Sequence, residues 1–540
     1  MIEQPLRKPP PSGDSEPPPK RKRYWWRFTL ASVVIVSVTA AATAASVLLY
    51  VGSIATALSH HNVLRNKVRR ILVQTHGGEP ENILILGSDK RASEPGDPGR
   101  SDTTLLLRLD PDRNAIALMS IPRDLKVEIP GYGMSRFNDA YTVGGPKLTL
   151  RVVKELTGLP INHIVNVDFL GFVRAVYAIG CVYVDVDRRY YHSNEGVPPS
   201  EQYSEIDVQP GYQLMCGKKA LQYVRYRHTD TDIVRAARQQ DFLSAARQRV
   251  PIKDLVLGRN QLIDIFTQYT TSDINDTETM LDVLKLFVAS RNATIKEVHF
   301  PAELGPSFVY ASQGAIEGAV EQFLGIEASG GPRGSLDRAE ANGGRRAKKT
   351  RRKARARKKQ RLKTKPPGSD GLVRAAEAGE AEAKLVARKV NSGFPVFYPG
   401  RLPPGAAYEE SNPYLRVEDP RVYHFRDTDG HRHGAYRMVL TLHLPDGTHY
   451  FGVQGIRGWS DPPLLSGPSI KQTIRGREYE IFLDGDRVQL VAWHRGDNTY
   501  WVANSLLRVL TNDQMIGIAR SARVKIPNKK PRRRRRAASL

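Results

Sequence analysis

Six charged side chains stand at the ends of apolar runs between Asn82 and Asp124: Asp89, Arg91, Arg100, Asp102, Arg123 and Asp124. The runs read NILILGSDKR, GRSDTTLLLRLD and IALMSIPRD. Ends of buried strands are where α/β sheets carry their ligand sites. Carboxylates such as Asp89 and Asp102 can hold a hard divalent cation through oxygen ligands. Arginines present planar forks that suit phosphate oxygens. These residue types in this pattern point to a site for a metal-bound polyphosphate. The alternative is a set of surface ion pairs flanking strands.

A second charged cluster, ALQYVRYRHTDTDIVRAARQQ, occupies Ala220–Gln240. Arg225 and Arg227 fall at the end of a short helix, Asp230 and Asp232 follow in a loop, and Arg235, Arg238, Gln239 and Gln240 open the next helix. Arg235 and Gln239 are four apart and share a helix face, whereas Arg238 and Gln240 do not both lie on it. A helix N-terminus also favours an anion. The arginines exceed what the neighbouring carboxylates balance, so a polyanionic ligand would resolve the imbalance; a solvated basic helix is the plainer reading. Asp232 lies among the arginines with no metal role to fill, which makes it the candidate to take a proton from an attacking hydroxyl. No nucleophilic Ser or Cys constellation accompanies these residues, and His228 reads as structural or phosphate-facing.

The elements that must position these groups intermix strands and helices. Asn82–Leu86, Thr103–Leu109 and Ala115–Ile121 read as buried strands, the last two joined by a turn at Asp110–Asn114. Lys147–Thr157 reads as an amphipathic helix ended by Gly158, His163–Val167 as a strand, Phe169–Ile179 as a helix and Val182–Val186 as a strand. This order predicts an α/β sandwich with a mixed sheet.

Residues 82–250 resemble the LytR-CpsA-Psr family of cell-wall glycopolymer transferases. The likeness is carried by GSDKR at 87–91, RSDT at 100–103, SIPRD at 120–124, SRFNDAY at 135–141 and VRYRHTDTD with RQQ across 224–240. It implies an α/β/α sandwich over residues 80–325 with an apolar groove for a polyprenyl tail. It implies transfer of a glycopolymer, with its sugar phosphate, from polyprenyl pyrophosphate to peptidoglycan. It also implies Mg2+ (or Mn2+) near Asp89 and Asp102, and pyrophosphate contacts from Arg100, Arg123, Arg225, Arg227 and Gln240. Arg136 falls where many members carry Lys or Arg. Arg235 and Arg238 join the expected phosphate-binding set, and Arg100, Arg123 and Asp232 the expected catalytic one. One departure is visible: Ile233-Val234 replaces the Gly-aromatic pair often seen before Arg235.

The chain has 540 residues and a formal net charge of +25. The excess sits in three segments: residues 1–27, the tract Arg345–Lys365 with 14 basic residues and no acid, and the tail from Lys529. The remainder is near neutral, so the charge describes polar segments rather than folded domains. Residues 1–27 read as a disordered basic segment. Phe28–Ala57 carries no charge and is long enough to span a bilayer; its length favours a retained anchor over a cleaved signal peptide. The basic cluster before it predicts a cytoplasmic N-terminus and an extracytoplasmic bulk, a single-pass protein of the cell membrane. Outside the cytoplasm Cys181 and Cys216 can pair, the alternative being two buried thiols. Residues 329–383 read as a disordered basic linker whose partners would be wall polyanions rather than nucleic acid. Residues 385–527 read as a smaller α+β domain, mainly an antiparallel sheet, and 528–540 as a disordered tail. His424, His431 and His433 surround the turn Asp427–Gly430 and read as turn residues rather than metal ligands. Two other functions remain open at this point: a pyrophosphatase that hydrolyses the same lipid, and a membrane-bound regulator or binding protein without catalysis.

Overall fold

The computed structural model describes residues 64, 68–76, 78–89, 99, 101–198, 204–226, 229–249, 270–274, 279, 282, 283, 286, 293–327, 333, 370–390, 393–409 and 421–527; for 102, 249 and 294 it describes the backbone alone. The expected cytoplasmic segment 1–27, membrane span 28–57, basic tract 345–365 and tail 528–540 lie outside the described residues. Among the described residues no helix is long and apolar enough to cross a membrane.

Strands β1 (Glu81–Ser88), β2 (Ser101–Asp110) and β3 (Ala115–Ser120) form an antiparallel meander. β4 (Lys126–Ile129) and β5 (Gly133–Arg136) make a separate hairpin. β6 (His163–Asp168) runs parallel to β1. β7 (Val182–Val186) and β8 (Gly211–Met215) pair with each other. β9 (Thr270–Ser272) flanks β6, and β10 (Thr294–Val298) runs parallel to β3, giving a six-stranded mixed sheet in the order β9-β6-β1-β2-β3-β10. Period-two alternation buries both faces. Leu84, Leu86, Leu106, Ala117, Met119 and Ile164 pack on one side with helices α1 (Asp139–Thr157) and, later in the chain, Gln313–Gly325. Ile83, Leu105, Leu109, Ile116 and Leu118 pack on the other. Each such Leu, Ile or Met side chain contributes about 1.5–3 kcal/mol on burial.

Helix α1 is kinked where Gly145 takes φ 62° ahead of Pro146. Proline lacks an N–H and suits a helix start, so the expected helix from Lys147 is the second half of a longer element. Gly158 ends it in the left-handed conformation at φ 65°. Helix α2 (Phe169–Ala178) is capped by Asp168, whose carboxylate accepts from Gly171 N–H at 2.7 Å. Cys181, just past α2, is disulfide-bonded to Cys216, which precedes helix α3 (Gly217–Arg225). Closing a loop of this length removes denatured-state entropy worth about 4 kcal/mol. Helix α4 (Asp232–Arg249) follows, and α5 is the Gln313–Gly325 helix.

The span expected to be disordered linker, 329–383, contains ordered structure. Arg333 is buried, Asp370 pairs with Arg401 at 2.9 Å, and helix α6 (Ala376–Lys389) buries Ala383 and Val386. Its Ala- and Glu-rich composition looks like linker, but apolar positions spaced three apart give it a face to bury. The second domain is a large antiparallel sheet. Its strands are β11 (Ala406–Tyr408), β12 (Arg421–Arg426), β13 (Arg432–Leu444), β14 (Gly447–Ile456), β15 (Ile470–Ile474), β16 (Arg477–Asp484), β17 (Arg487–Arg495) and β18 (Asn498–Ala503), ordered β11-β13-β14-β18-β17-β16-β15 with β12 on β13. Helix α7 (Asn512–Arg520) closes it with a capping box between Thr511 and Gln514. The carboxylate of Asp427 is hydrogen-bonded to His433 Nε2 at 2.9 Å and faces His431 Nδ1 at 3.3 Å, so the histidines brace the hairpin turn.

The β7–β8 hairpin of the first domain is embedded against the second. Tyr183 and Tyr212 share a cluster with Tyr423, Ile456 and Trp501. Asp185 on β7 accepts from Arg437 at 3.1 Å and from Trp501 Nε1 at 2.8 Å. Gly211 takes φ +100°, and a Cβ there would meet the Tyr423 hydroxyl at 2.5 Å; the two domains approach this closely because that residue has no side chain.

His163, at the start of β6, faces Asp273 through Nδ1 at 2.8 Å and Glu81 through Nε2 at 3.5 Å. Burial opposes its charge, but the two carboxylates prevail and raise its pKa to about 9. A raised folded-state pKa stabilises fully below the unfolded value near 6.5, and the stabilisation is lost as pH rises through 9. At about 1.4 kcal/mol per pKa unit this is worth roughly 3 kcal/mol. His163→Asn should therefore cost about that much at pH 6 and much less at pH 10 in urea unfolding; equal losses at both would refute the ion-pair account.

Candidate functional site

The SIPRD segment leaves the end of β3 as a tight turn. Leu125 N–H donates to the Pro122 carbonyl, Asn138 N–H to the Arg123 carbonyl at 3.0 Å, and Phe137 N–H to the Leu125 carbonyl at 2.8 Å. The SRFNDAY segment is thereby tied to SIPRD, bringing Arg136 beside Asp124. From the other side comes the first turn of α4. Asp232, in that turn, receives Arg235 at 2.8 Å and lies 3.6 Å from Arg123 Nε. Arg123 is also 3.5 Å from Asp124, and Arg136 4.0 Å from the other oxygen of that carboxylate. Three arginines and two aspartates from three segments thus form one group, with Arg136 at its exposed rim.

The Asp124 and Asp232 carboxyls are close enough to influence each other's ionisation, and both lie beside Arg123. Burial pushes both carboxyls up. For Asp124, the interaction with Asp232 and the charges of Arg123, Arg136 and Arg235 outweigh burial and hold it below the usual carboxylate range. For Asp232, burial prevails over Arg235, and the neighbouring Asp124 adds to the rise. The two carboxyls are therefore pushed apart, Asp124 down and Asp232 up. Asp124 was visible in the sequence as a strand-end carboxylate but carried no assigned role; its adjacency to Arg123 was the available signal.

Gln240 lies farther along α4, where its amide donates to Ser120 Oγ at 3.3 Å at the end of β3. The Arg225 guanidinium sits over the Phe169 ring at 3.9 Å from its centre. Arg100 and Arg227 lie outside the described residues. Asp89 follows the last residue of β1, half-buried. The Tyr141 hydroxyl donates to Asn166 Oδ1 at 3.2 Å; burial above all raises that phenol's pKa, with the charges of Asp89 and Asp168 adding. Parallel strands β1 and β6 end in register, Ser88 beside Asp168, so Asp89, Asp168, Asn166 and Tyr141 gather at one sheet edge. The last three were not expected from the sequence. The β1–β2 register shifts between Gly87 and Ser88, leaving Ser88 opposite Ser101. The backbone of Asp102 is therefore beside this edge.

Arg238 does not belong to the expected phosphate-binding set. It is fully buried, ion-pairs with Asp230, and donates to the carbonyls of Tyr226 at 2.7 Å and Tyr223 at 3.0 Å. Its guanidinium lies over the Tyr190 ring at 4.4 Å. Asp230 also takes Arg188. The charge that looked available for a ligand is consumed by a protein carboxylate, carbonyls and an aromatic face. Asp232, expected in a loop, is instead the first residue of α4.

A model of the LytR_cpsA_psr family matches residues 47–324. The chain is 32% identical over 219 residues to the polyisoprenyl-teichoic acid–peptidoglycan teichoic acid transferase TagU of Oceanobacillus iheyensis, covering 39% of this chain and 64% of the relative. It is 37% identical over 180 residues to the probable cell wall biosynthesis protein LcpB of Corynebacterium glutamicum, covering 30% of this chain and 40% of the relative. A solved structure, TagT bound to LIIa-WTA, is 25% identical with a TM-score of 0.37, covering 48% of this chain and 96% of that one. The matched stretch spans less than two thirds of the length of either curated relative.

Removing one partner of a buried ion pair strands the other charge and costs about 3–5 kcal/mol. Arg238→Ala should destabilise the protein by that amount in chemical denaturation, whereas Arg136→Ala, at the exposed rim, should fall within about 0.5 kcal/mol of wild type. An Arg238→Ala protein of unchanged stability would return Arg238 to the candidate ligand set.

Proposed function

The chain belongs to the LytR-CpsA-Psr family, and from that membership we propose that it is a membrane-anchored, extracytoplasmic phosphotransferase. It would move a glycopolymer, with its sugar phosphate, from a polyprenyl-pyrophosphate carrier to a hydroxyl of peptidoglycan. The observation that carries this reading is the Arg123–Asp124–Arg136–Asp232–Arg235 group. Three guanidiniums from three segments converge beside two carboxylates, with Arg136 at the exposed rim, and planar guanidinium forks suit the oxygens of a pyrophosphate. The disulfide between Cys181 and Cys216 supports an oxidising compartment, as does the apolar stretch 28–57 preceded by basic residues.

In the proposed step an acceptor hydroxyl oxygen forms a bond to the phosphorus that bears the sugar. The bond from that phosphorus to the bridging oxygen breaks, and polyprenyl phosphate leaves with the electron pair. Arg123 and Arg235, with Arg136 at the rim, hold the phosphate oxygens and offset the charge that develops on them. Arg100, Arg225, Arg227 and Gln240 are the remaining candidates for that cradle. The hydroxyl proton passes to the Asp124–Asp232 pair. A carboxylate with a raised pKa is a stronger base when ionised, so Asp232, raised by burial and by Asp124, is the accepting member of the pair. Asp89 and Asp102 would hold Mg2+ (or Mn2+), which supplies Lewis-acid neutralisation of phosphate charge when bound.

The test incubates the purified extracytoplasmic chain with Mg2+, a polyprenyl-pyrophosphate-linked saccharide and peptidoglycan fragments, and follows phosphodiester-joined product by mass spectrometry. Wild type should form it and Arg123→Ala should lose at least a hundredfold in rate, the scale of removing a preorganised charge-stabilising donor. Free saccharide phosphate in its place would mean that water is the acceptor. Asp124→Asn removes the negative neighbour that raises Asp232, so the acidic limb of the kcat profile should move to lower pH. An unmoved limb would take the pair out of the proton transfer.

A further inference from the structure

We propose that the second domain is a working part of the catalytic site, holding the first turns of α4 so that Asp232 and Arg235 keep their geometry. This rests on the transfer-site reading above and concerns residues that touch no substrate. Between Asp232 and Arg235 the chain carries Ile233-Val234, the departure from the pair expected by resemblance. These residues have a partner inside the molecule. Ile233, Val234 and Ala237 pack with Leu506, Leu507 and Val509, which leave the end of β18 in the second domain. The family-like helix carries the charged site residues, and the side chains interleaved with them form an apolar docking strip.

Polar contacts fasten the same strip. The guanidinium of Arg333 donates to the carbonyl of Ala237 on α4 and to that of Leu506, both at 3.1 Å. Its backbone N–H donates to the Leu507 carbonyl at 2.7 Å. It also pairs with Asp241 of α4 at 2.8 Å, with Asp484 of β16 at 2.8 Å and with Glu297 of β10. Arg508 repeats the link, reaching Asp241 at 2.8 Å and Asp484 at 3.1 Å. Two buried guanidiniums therefore clamp one α4 carboxylate to one second-domain carboxylate. Burial pushes the Glu297 carboxyl up to about 8, against the opposing charge of Arg333.

A helix is stiff over two turns, so anchoring Ala237 and Asp241 fixes the direction in which Asp232 and Arg235 project. Misplacing a catalytic group by about 1 Å can cost a hundredfold in rate. Leu507 and Arg508 are accordingly positioning residues for Asp232 and Arg235.

The experiment uses the full chain in detergent with Leu507→Asp and, as a milder change, Arg508→Ala and Arg508→Lys. Amide hydrogen exchange is read over 232–240, with β13 and β14 as the check that the second domain stays folded. Steady-state transfer is read with a polyprenyl-pyrophosphate-linked saccharide. Leu507→Asp and Arg508→Ala should exchange at least tenfold faster over 232–240 and lose at least tenfold in kcat, with acceptor KM little changed. Arg508→Lys should recover part of both. Unchanged exchange over 232–240, or faster exchange with unchanged kcat, overturns the proposal. Loss of protection in β13 and β14 by Leu507→Asp passes the decision to the Arg508 pair. If Arg123→Ala remains fully active, the transfer-site reading falls, while the exchange data still decide whether the second domain holds α4.

Discussion

Buried charge must be compensated, and this constraint organises the molecule around α4. Asp232, Arg235, Arg238 and Asp241 all lie on this one helix, and each is matched to a different part of the structure. Asp232 and Arg235 meet the SIPRD turn, Arg238 meets Asp230 beneath Tyr190, and Asp241 meets the arginines at the second domain. Ions taken out of water are retained only where opposite charge and hydrogen bonds replace hydration. The helix cannot shift along its axis or rotate without stranding at least one of these charges. The matches differ in one respect. Arg238 and Asp241 are paired deep within the protein, whereas the group around Asp124 and Asp232 reaches a partly open edge at Arg136.

The sheet was legible in the sequence because its runs are long, β-branched and bounded by turns. Asn82–Leu86, Thr103–Leu109 and Ala115–Ile121 lie within β1, β2 and the end of β3. The same holds for Val488–Trp493 and Asn498–Ala503 in the second domain. Charge roles were less legible. Arg235 and Arg238 are three residues apart and identical in type, yet one faces the site and the other is enclosed. Sequence reports that a guanidinium needs an anion, not whether the anion is a carboxylate such as Asp230 or a phosphate. Asp124 was obscured for the converse reason: its importance comes from Asp232, 108 positions away. The linker boundary was obscured by composition. Ala376–Lys389 is rich in Ala and Glu, and Arg333 sits in a Gly- and charge-rich stretch, but burial of each depends on surfaces formed by distant segments.

Among the described residues, two of the contacts between the domains differ in kind, and their division of labour follows from geometry. The β7–β8 hairpin contributes aromatic area, with Asp185 satisfied by Arg437 and Trp501. Tyr183 and Tyr212 stack at 5.5 Å, and Trp501 meets Tyr212 edge-on at the same distance. This contact is remote in sequence from the SIPRD turn and supplies adhesion. The contact around Arg333 is mostly polar and adjoins α4. Polar networks are directional and fail when displaced, so the second contact supplies alignment. A hydrophobic patch alone could tolerate sliding; guanidinium forks bound to fixed carbonyls and carboxylates could not.

The opposite shifts of the Asp124 and Asp232 carboxyls follow from the same constraint on a smaller scale. Neighbouring carboxylates disfavour each other's ionisation. Which one is pushed up depends on solvent and on the arginines. Asp232 is 7% exposed and Asp124 25%, so ionisation costs more at Asp232. Arg123 and Arg235 influence both carboxyls, but Arg136 at the rim adds only to Asp124. The rim arginine and the greater exposure act together, holding the Asp124 carboxyl down while burial raises that of Asp232. An incoming pyrophosphate would draw on the same arginines that stabilise Asp124. The charge balance of the pair and that of the ligand are therefore set by one group of guanidiniums, and the position of α4 determines how they are shared.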